Sequence, residues 1–265
     1  MSVFEPVDGD FLKDEVVVVI GNAPSVNDVD LSLLDGVKTI GVNQILSKYQ
    51  PSAVCAVDEP VVRMQRKALQ DYSGKLYTWD KINPDVWPRT VEAFSLAGNM
   101  GNPSTWRWPS SLEHALVRQG TTPAYALQLA LLSGAKAIGV LGVDYNAPSL
   151  LKKGKPSHFY GYAGKGYVCE ACGSYFSEKK LKIDRGDQVC PRCHVINRVH
   201  PIHVTGGGAW TKREYAFYNR FRITCDNEGV PCYNLSPCRT SALAKAGWER
   251  ARIEEFVAKY NQPSG

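Results

Sequence analysis

Glu15-Val16-Val17-Val18-Val19-Ile20, closed by Gly21-Asn22-Ala23-Pro24-Ser25, is the stretch on which the reading of this chain turns. Four consecutive valines and an isoleucine leave no polar side for water. The run therefore predicts a strand buried on both faces of a parallel sheet, and the glycine and proline that follow end it sharply. Short apolar runs of the same kind recur at 38–42, 53–57, 75–79 and 137–143, with helical patterns between several of them. Strands alternating with helices imply right-handed crossovers. The predicted class is α/β, a Rossmann-like open parallel sheet with helices on both faces.

The clearest helix starts at Thr122 as N-cap with Pro123 in the first turn, and it ends at Gly134, which suits a left-handed cap. Its Ala124, Leu127 and Leu131 fall on one face. Residues 211–227 read as an aromatic helix with Tyr215, Tyr218 and Phe221 turned inward, followed by a strand near 230–235. A last helix over 242–260 is broken near Gly247. Around the 75–79 strand, Pro84, Pro88, Pro103 and Pro109 with four scattered tryptophans predict long loops from 70 to 120.

The composition bounds what such a fold can be. At 265 residues, 44% hydrophobic and 22% charged, the chain is long enough for one large globular domain with an insert. Its apolar runs are too short to span a bilayer, and Glu5, Asp8 and Asp10 precede any apolar stretch, unlike the basic start of a signal peptide. A cytosolic protein is expected, so its eight cysteines read as metal ligands and reduced thiols rather than a disulfide framework.

Asn22, Asn43, Asp58 and Asp144 each stand just past a predicted strand, at the carboxyl edge where open α/β sheets bind ligands. Gly21 to Ser25 leads into Asp28, and Ser25 with Asp28 has the spacing of a capping box, where free amides would favour a phosphate. Neither a G-x-G-x-x-G dinucleotide motif nor a G-x-x-x-x-G-K-[ST] phosphate loop occurs, which argues against nicotinamide chemistry and Walker-type ATP hydrolysis. Asp8-Gly9-Asp10 precedes the first predicted strand, so it is expected to lie off that edge and to supply no carboxylates for magnesium there.

Cys169-x-x-Cys172, 17 intervening residues and Cys190-x-x-Cys193 form the spacing of a four-cysteine zinc ribbon, with Gly173 and Pro191 in the knuckles. With all four positions filled by thiolates, the zinc is expected to be structural; His194 and His200 are alternative ligands. The chain then divides into 1–161 with 201–265 as the main domain and 162–200 as the insert. Lys165, Lys179, Lys180, Lys182, Arg185, Arg192 and Arg198 crowd this insert, interleaved with Tyr167, Tyr175 and Phe176. Such a surface suits a nucleic acid, although a solvated basic face reads the same way, and the net charge of +5 permits either.

Taken in order, these segments resemble the bacterial sialyltransferases that build lipooligosaccharide, and a related Rossmann-like family that includes an archaeal pterin pyrophosphokinase. Gly21-Asn22-Ala23-Pro24-Ser25 through Asp30 is similar to the family's opening Gly-Asn-Gly-Pro-Ser motif, with Ala23 in place of its second glycine. Gly41-Val42-Asn43-Gln44, then Thr121-Thr122-Pro123 leading to Gly142-Val143-Asp144, then Ser157-His158-Phe159-Tyr160-Gly161, match the strand ends and loops that follow. Leu235-Ser236-Pro237 with Ser241 and Leu243 is similar to its terminal turn. The resemblance leaves out residues 60–115 and the cysteine insert.

The resemblance implies an inverting glycosyltransferase that uses a nucleotide-sugar donor without a metal at the reaction centre. Gly21, Asn22, Ser25, Asn43, Thr121 and Thr122 would bind the donor, and Asp144 would face its base or ribose. His158 would be the general base, with His203 competing because it keeps the family's distance from the helix at 211. Tyr160 and Tyr162 would hydrogen-bond the departing phosphate. The acceptor would be a hydroxyl, in one form a modified base in DNA delivered by the insert. A magnesium-dependent pyrophosphokinase and a non-catalytic nucleic-acid-binding protein on a degenerate transferase fold are the alternatives.

Overall fold

The computed structural model describes residues 4–97, 108–144, 164–169, 175–177, 180–184, 186–197, 199–204, 212–239 and 241–261. Its strands in chain order are β1 (Phe4–Pro6), β2 (Val16–Ile20), β3 (Lys38–Val42), β4 (Ala53–Cys55), β5 (Lys75–Trp79), β6 (Val91–Phe94), β7 (Leu96–Ala97), β8 (Leu116–Val117), β9 (Ala137–Leu141), β10 (Gly164–Cys169), β11 (Tyr175–Ser177), β12 (Lys182–Asp184), β13 (Asp187–Val189), β14 (Val199–Val204) and β15 (Cys232–Asn234). The helices are α1 (Glu59–Met64), α2 (Arg66–Asp71), α3 (Thr122–Leu132), α4 (Lys212–Asn227), α5 (Ala242–Lys245) and α6 (Ile253–Tyr260).

The valine run is the strand its composition predicts, and it lies inside an eight-stranded sheet of order β1-β6-β5-β4-β3-β2-β9-β15. Every neighbouring pair is parallel, with Val16 opposite Ala137 and Ile20 opposite Leu141. Side chains alternate across a strand, so Val17 and Val19 enter one core, beneath α3 and α4. Val16, Val18 and Ile20 enter the other, whose far wall includes Ile253 and Phe256 of α6. The sheet is covered on both faces. The chain leaves β2 toward β3 and later returns to β9 on the other side of β2, which places the topological switch between the carboxyl ends of β2 and β9.

Several local expectations are corrected. The loop-rich stretch contains β6, and the N-terminus adds β1 at the sheet's outer edge, where Pro6 costs no interior ladder bond. Between β2 and β3 the chain makes only 3-10 turns, Pro24–Asp28 and Leu31–Leu34. Helix α3 is capped one residue earlier than expected, at Thr121, and instead of a single apolar stripe every residue from Ala124 to Ala130 is buried. It is sandwiched between the sheet and α4, so no side of it faces water. Its end is as predicted: Gly134 takes φ +76° and Ala135 N–H donates to the Ala130 carbonyl at 3.1 Å. In α4 the inward positions are Phe217, Tyr218, Phe221 and Cys225, whereas Tyr215 is 42% exposed. The break before α6 falls at Gly247, φ +77°.

The segment 164–204 forms a separate antiparallel layer of order β11-β10-β14, with β12 and β13 paired as a hairpin. Its β10 runs beside α1, so this layer stands at the carboxyl edge of the main sheet. Among the described side chains its buried residues are Cys169, Cys190 and Val199, with Tyr167, Leu181 and Val195 packed around them.

Candidate active site at the carboxyl edge of the sheet

Two polar clusters form where the central strands end. The first begins at Asn43, immediately after β3, which adopts a left-handed backbone at φ +51°. That conformation is unfavourable for most residues and tolerated by asparagine. Three contacts hold it. Its N–H donates to the Cys55 carbonyl at 3.0 Å, its carbonyl accepts from Gln65 Nε2 at 2.6 Å, and its Oδ1 accepts from Thr122 Oγ1 at 3.2 Å. The last bond joins the carboxyl end of β3 to the first turn of α3, whose N-terminus carries the helix's positive end.

Tyr125, one turn along α3, is pushed up to about 12 by burial, opposed by its bond to the Gln119 carbonyl and by the Arg118 guanidinium, and raised slightly by the charge of Asp58. Arg118 sits 5.0 Å from the centre of the Trp79 ring at the end of β5 and makes no ion pair among the described residues. Asp58 follows β4 and opens α1 with its backbone, yet its side chain makes no capping bond. Solvent reaches this carboxylate, while surrounding protein raises its pKa by desolvation.

The second cluster fills the switch point. Asp144 is 1% exposed, its Oδ1 accepts a short bond from Ser236 Oγ, and Ser236 Oγ also lies 3.1 Å from Ser25 Oγ. Burial raises the Asp144 carboxyl, against the lowering effect of Ser236 and Ser25. The capping box expected of Ser25 and Asp28 is absent, because Ser25 is drawn into this cluster and Ala23 holds the cap position without a side-chain bond. Gly21 and Gly142 cross beside it. A Cβ on Gly21 would come within 2.3 Å of the Gly142 carbonyl oxygen, and Gly142 itself has φ +68°. The amides of Gly21 and Ala23 donate to the carbonyls of Leu141 and Gly142, so they serve this crossing. Asn22 is 8% exposed and its Oδ1 has no partner among the described residues, as is true of Asp144 Oδ2 and Asn234 Nδ2.

The structure thus brings Asn43 to Thr122 and Ser25 to Asp144, with Gly21, Asn22 and Thr121 at the same edge. His158, Tyr160 and Tyr162 lie outside the described residues. His203 is in β14, opposite Lys165 in the ladder with β10. Gln65, Arg118 and Ser236 also stand at this edge without a sequence signal of their own: a glutamine between two short helices or an arginine in a loop carries no periodicity.

In the insert, the sulfurs of Cys169, Cys190 and Cys193 lie within 4.8 Å of one another, and Cys169 Sγ to Cys193 Sγ is 3.5 Å. Tetrahedral zinc at about 2.3 Å from each thiolate sets its sulfurs roughly 3.8 Å apart, so the three thiols fit such an ion. His194 N–H donates to the Cys190 carbonyl at 3.0 Å, closing the second knuckle, and His194 takes φ +57°. Cys172 lies outside the described residues; the alternative ligand His194 is not part of the cluster. Lys180, Lys182 and Arg192 are exposed here, but so are Asp184 and Asp187, so the described surface of the insert is mixed in charge.

These features define the chain as an α/β protein with a Rossmann-like parallel sheet, a polar carboxyl edge and a cysteine-clustered insert that can bind metal. No family model matches it, and a search of curated proteins finds no relative. Among solved structures it is similar in outline to a MAf glycosyltransferase from Magnetospirillum magneticum AMB-1, at 13% identity and a TM-score of 0.45, over 95% of this chain and 40% of that one. At that level the likeness carries no argument about activity. Among the described residues, no helix is long and apolar enough to cross a membrane.

Proposed function

We propose that the chain is an inverting glycosyltransferase that binds a nucleotide-sugar at the carboxyl edge and transfers the sugar to an acceptor hydroxyl. The observation that carries this reading is the Asn43–Thr122 contact, which closes polar side chains from a strand end and a helix start around one point at that edge. Thr121, Thr122, Asn43 and Asn22 are proposed to hold the donor, and Asp144 to support the floor beneath it. The acceptor oxygen attacks the anomeric carbon as the bond to the phosphate oxygen breaks; the phosphate leaves with the electron pair. His158 or His203 takes the acceptor's proton, and Tyr160 and Tyr162 donate to the departing phosphate. The insert, held by structural zinc on Cys169, Cys172, Cys190 and Cys193, is proposed to present the acceptor. Its support is the position of β10 beside α1, and a base in DNA is one acceptor of the right kind.

The test is a thermal-shift screen of the purified full chain against free nucleotides and nucleotide-sugars, followed by assays of donor hydrolysis and transfer. Stabilisation by one nucleotide class, with sugar release lost in Thr122→Val, is expected. No stabilisation by any nucleotide and no sugar release would sink the reading.

A further inference from the structure

We infer that Arg118 holds the second phosphate of a nucleoside diphosphate, which makes the donor a nucleoside-diphosphate sugar. The inference rests on the nucleotide-sugar reading above and narrows its donor class. Arg118 lies between β8 and α3, shortly before Thr121, the N-cap of α3. Its two neighbours in the chain are clamped to that helix. Val117 N–H donates to Gln128 Oε1 at 2.7 Å, and the Val117 carbonyl accepts from Gln128 Nε2 at 3.1 Å. Gln119 N–H donates to the Tyr125 hydroxyl oxygen at 3.0 Å, and that hydroxyl donates back to the Gln119 carbonyl. Gln128 and Tyr125 are buried, so the backbone of Arg118 is fixed against the helix whose first turn carries Thr122.

The guanidinium rests 5.0 Å from the centre of the Trp79 ring, at the carboxyl end of β5. An aromatic face holds a guanidinium in place and leaves its fork of N–H donors free for an anion. No carboxylate among the described residues pairs with it. Asp80, the residue after Trp79, accepts from Ser95 Oγ instead. Other cations nearby are spent on the fold: Arg63 is bonded to Glu59 at 2.6 Å, and Arg66 to the Asp85 and Val86 carbonyls at 2.8 Å. Beside Arg118, Gln119 is 4% exposed and its Nε2 has no partner among the described residues, which leaves a second donor at the entry to α3. A charged fork and an amide donor next to the positive end of a helix suit a phosphate. β5 and β3 are two strands apart in the sheet, about 10 Å. Two linked phosphates span that gap, one within about 3 Å of Thr122 and the other within about 3 Å of the guanidinium. A single phosphate reaches one end only.

The experiment titrates the full chain and its Arg118→Gln and Arg118→Lys variants with UMP, UDP, GMP, GDP, CMP and CDP, without added magnesium. For each base the readout is the affinity of the diphosphate over that of the monophosphate; urea unfolding confirms that the variants are folded. The wild type is expected to prefer the diphosphate of its base by about tenfold or more, the size of a charge-assisted hydrogen bond. Arg118→Gln should abolish that preference, and Arg118→Lys, which keeps the charge and loses the fork, should retain part of it. Equal binding of monophosphate and diphosphate by the wild type, or a preference that survives in Arg118→Gln, would overturn the inference while leaving the transferase reading standing. Failure of every nucleotide to bind would overturn both.

Discussion

Thr122 Oγ1 donates to Asn43 Oδ1 at 3.2 Å across 79 residues of chain, and this single bond ties the end of β3 to the start of α3. Thr122 is 3% exposed and Asn43 holds a left-handed backbone, so the contact fixes the geometry of the proposed donor site as well as its polarity.

Replacing Thr122 by valine keeps the shape and removes the donor. The stability loss is expected to be about 1 kcal/mol, the net worth of one hydrogen bond, while nucleotide-induced stabilisation falls sharply. Asn43→Gly should retain the backbone conformation and lose the bond; Asn43→Ala should lose the bond and add about 1 kcal/mol of left-handed strain. Urea denaturation and a nucleotide thermal shift separate these effects.

The crossing of Gly21 and Gly142 admits no side chain. Gly21→Ala sets a methyl 2.3 Å from a backbone oxygen, which cannot move without shifting β9. A loss of about 3 kcal/mol or more in urea unfolding is expected, larger than for a typical surface substitution. A variant as stable as wild type would contradict the crossing geometry.

Asp144 makes stability depend on pH with a definite sign. Its folded-state pKa is raised above the ordinary 3.8 by burial, so the folded chain holds the proton more tightly than the unfolded chain. Stability from this group is present at low pH and is lost as pH rises from about 4 through the raised value. Asp144→Asn keeps an oxygen for the Ser236 hydroxyl and removes the titration. The urea midpoint of wild type minus that of the variant is therefore expected to fall as pH rises above about 4.

Metal removal should act on the insert first. Among the described side chains of the layer, the buried ones are Cys169, Cys190 and Val199, so an ion across its thiols holds the middle of that cluster. The chain is expected to carry one zinc by elemental analysis, and chelator should expose the amides of β10 and β14 to hydrogen exchange while β2, β3 and β9 stay protected. Cys190→Ser should do the same without chelator.

The local letters of the sequence determined a good part of this protein. Unbroken runs of β-branched residues specified the central strands and hence the α/β class, because burial on both faces leaves no other pattern. Cys190-x-x-Cys193 specified the turn that His194 N–H closes on the Cys190 carbonyl, since Cys-x-x-Cys closes one turn regardless of what surrounds it. Asn22, Asn43, Asp58 and Asp144 were legible as strand-end residues for the same local reason. Their partners were not. Ser236 reaches Asp144 across 92 residues, and Asn43 meets Thr122 rather than its neighbours in sequence, because the order of strands in the sheet decides which ends adjoin. The burial of α3 on all sides, and the use of Ser25 in a buried cluster instead of a capping box, likewise depend on what the sheet and α4 bring against them. Periodicity encodes which way a side chain faces; only the tertiary fold decides what it faces.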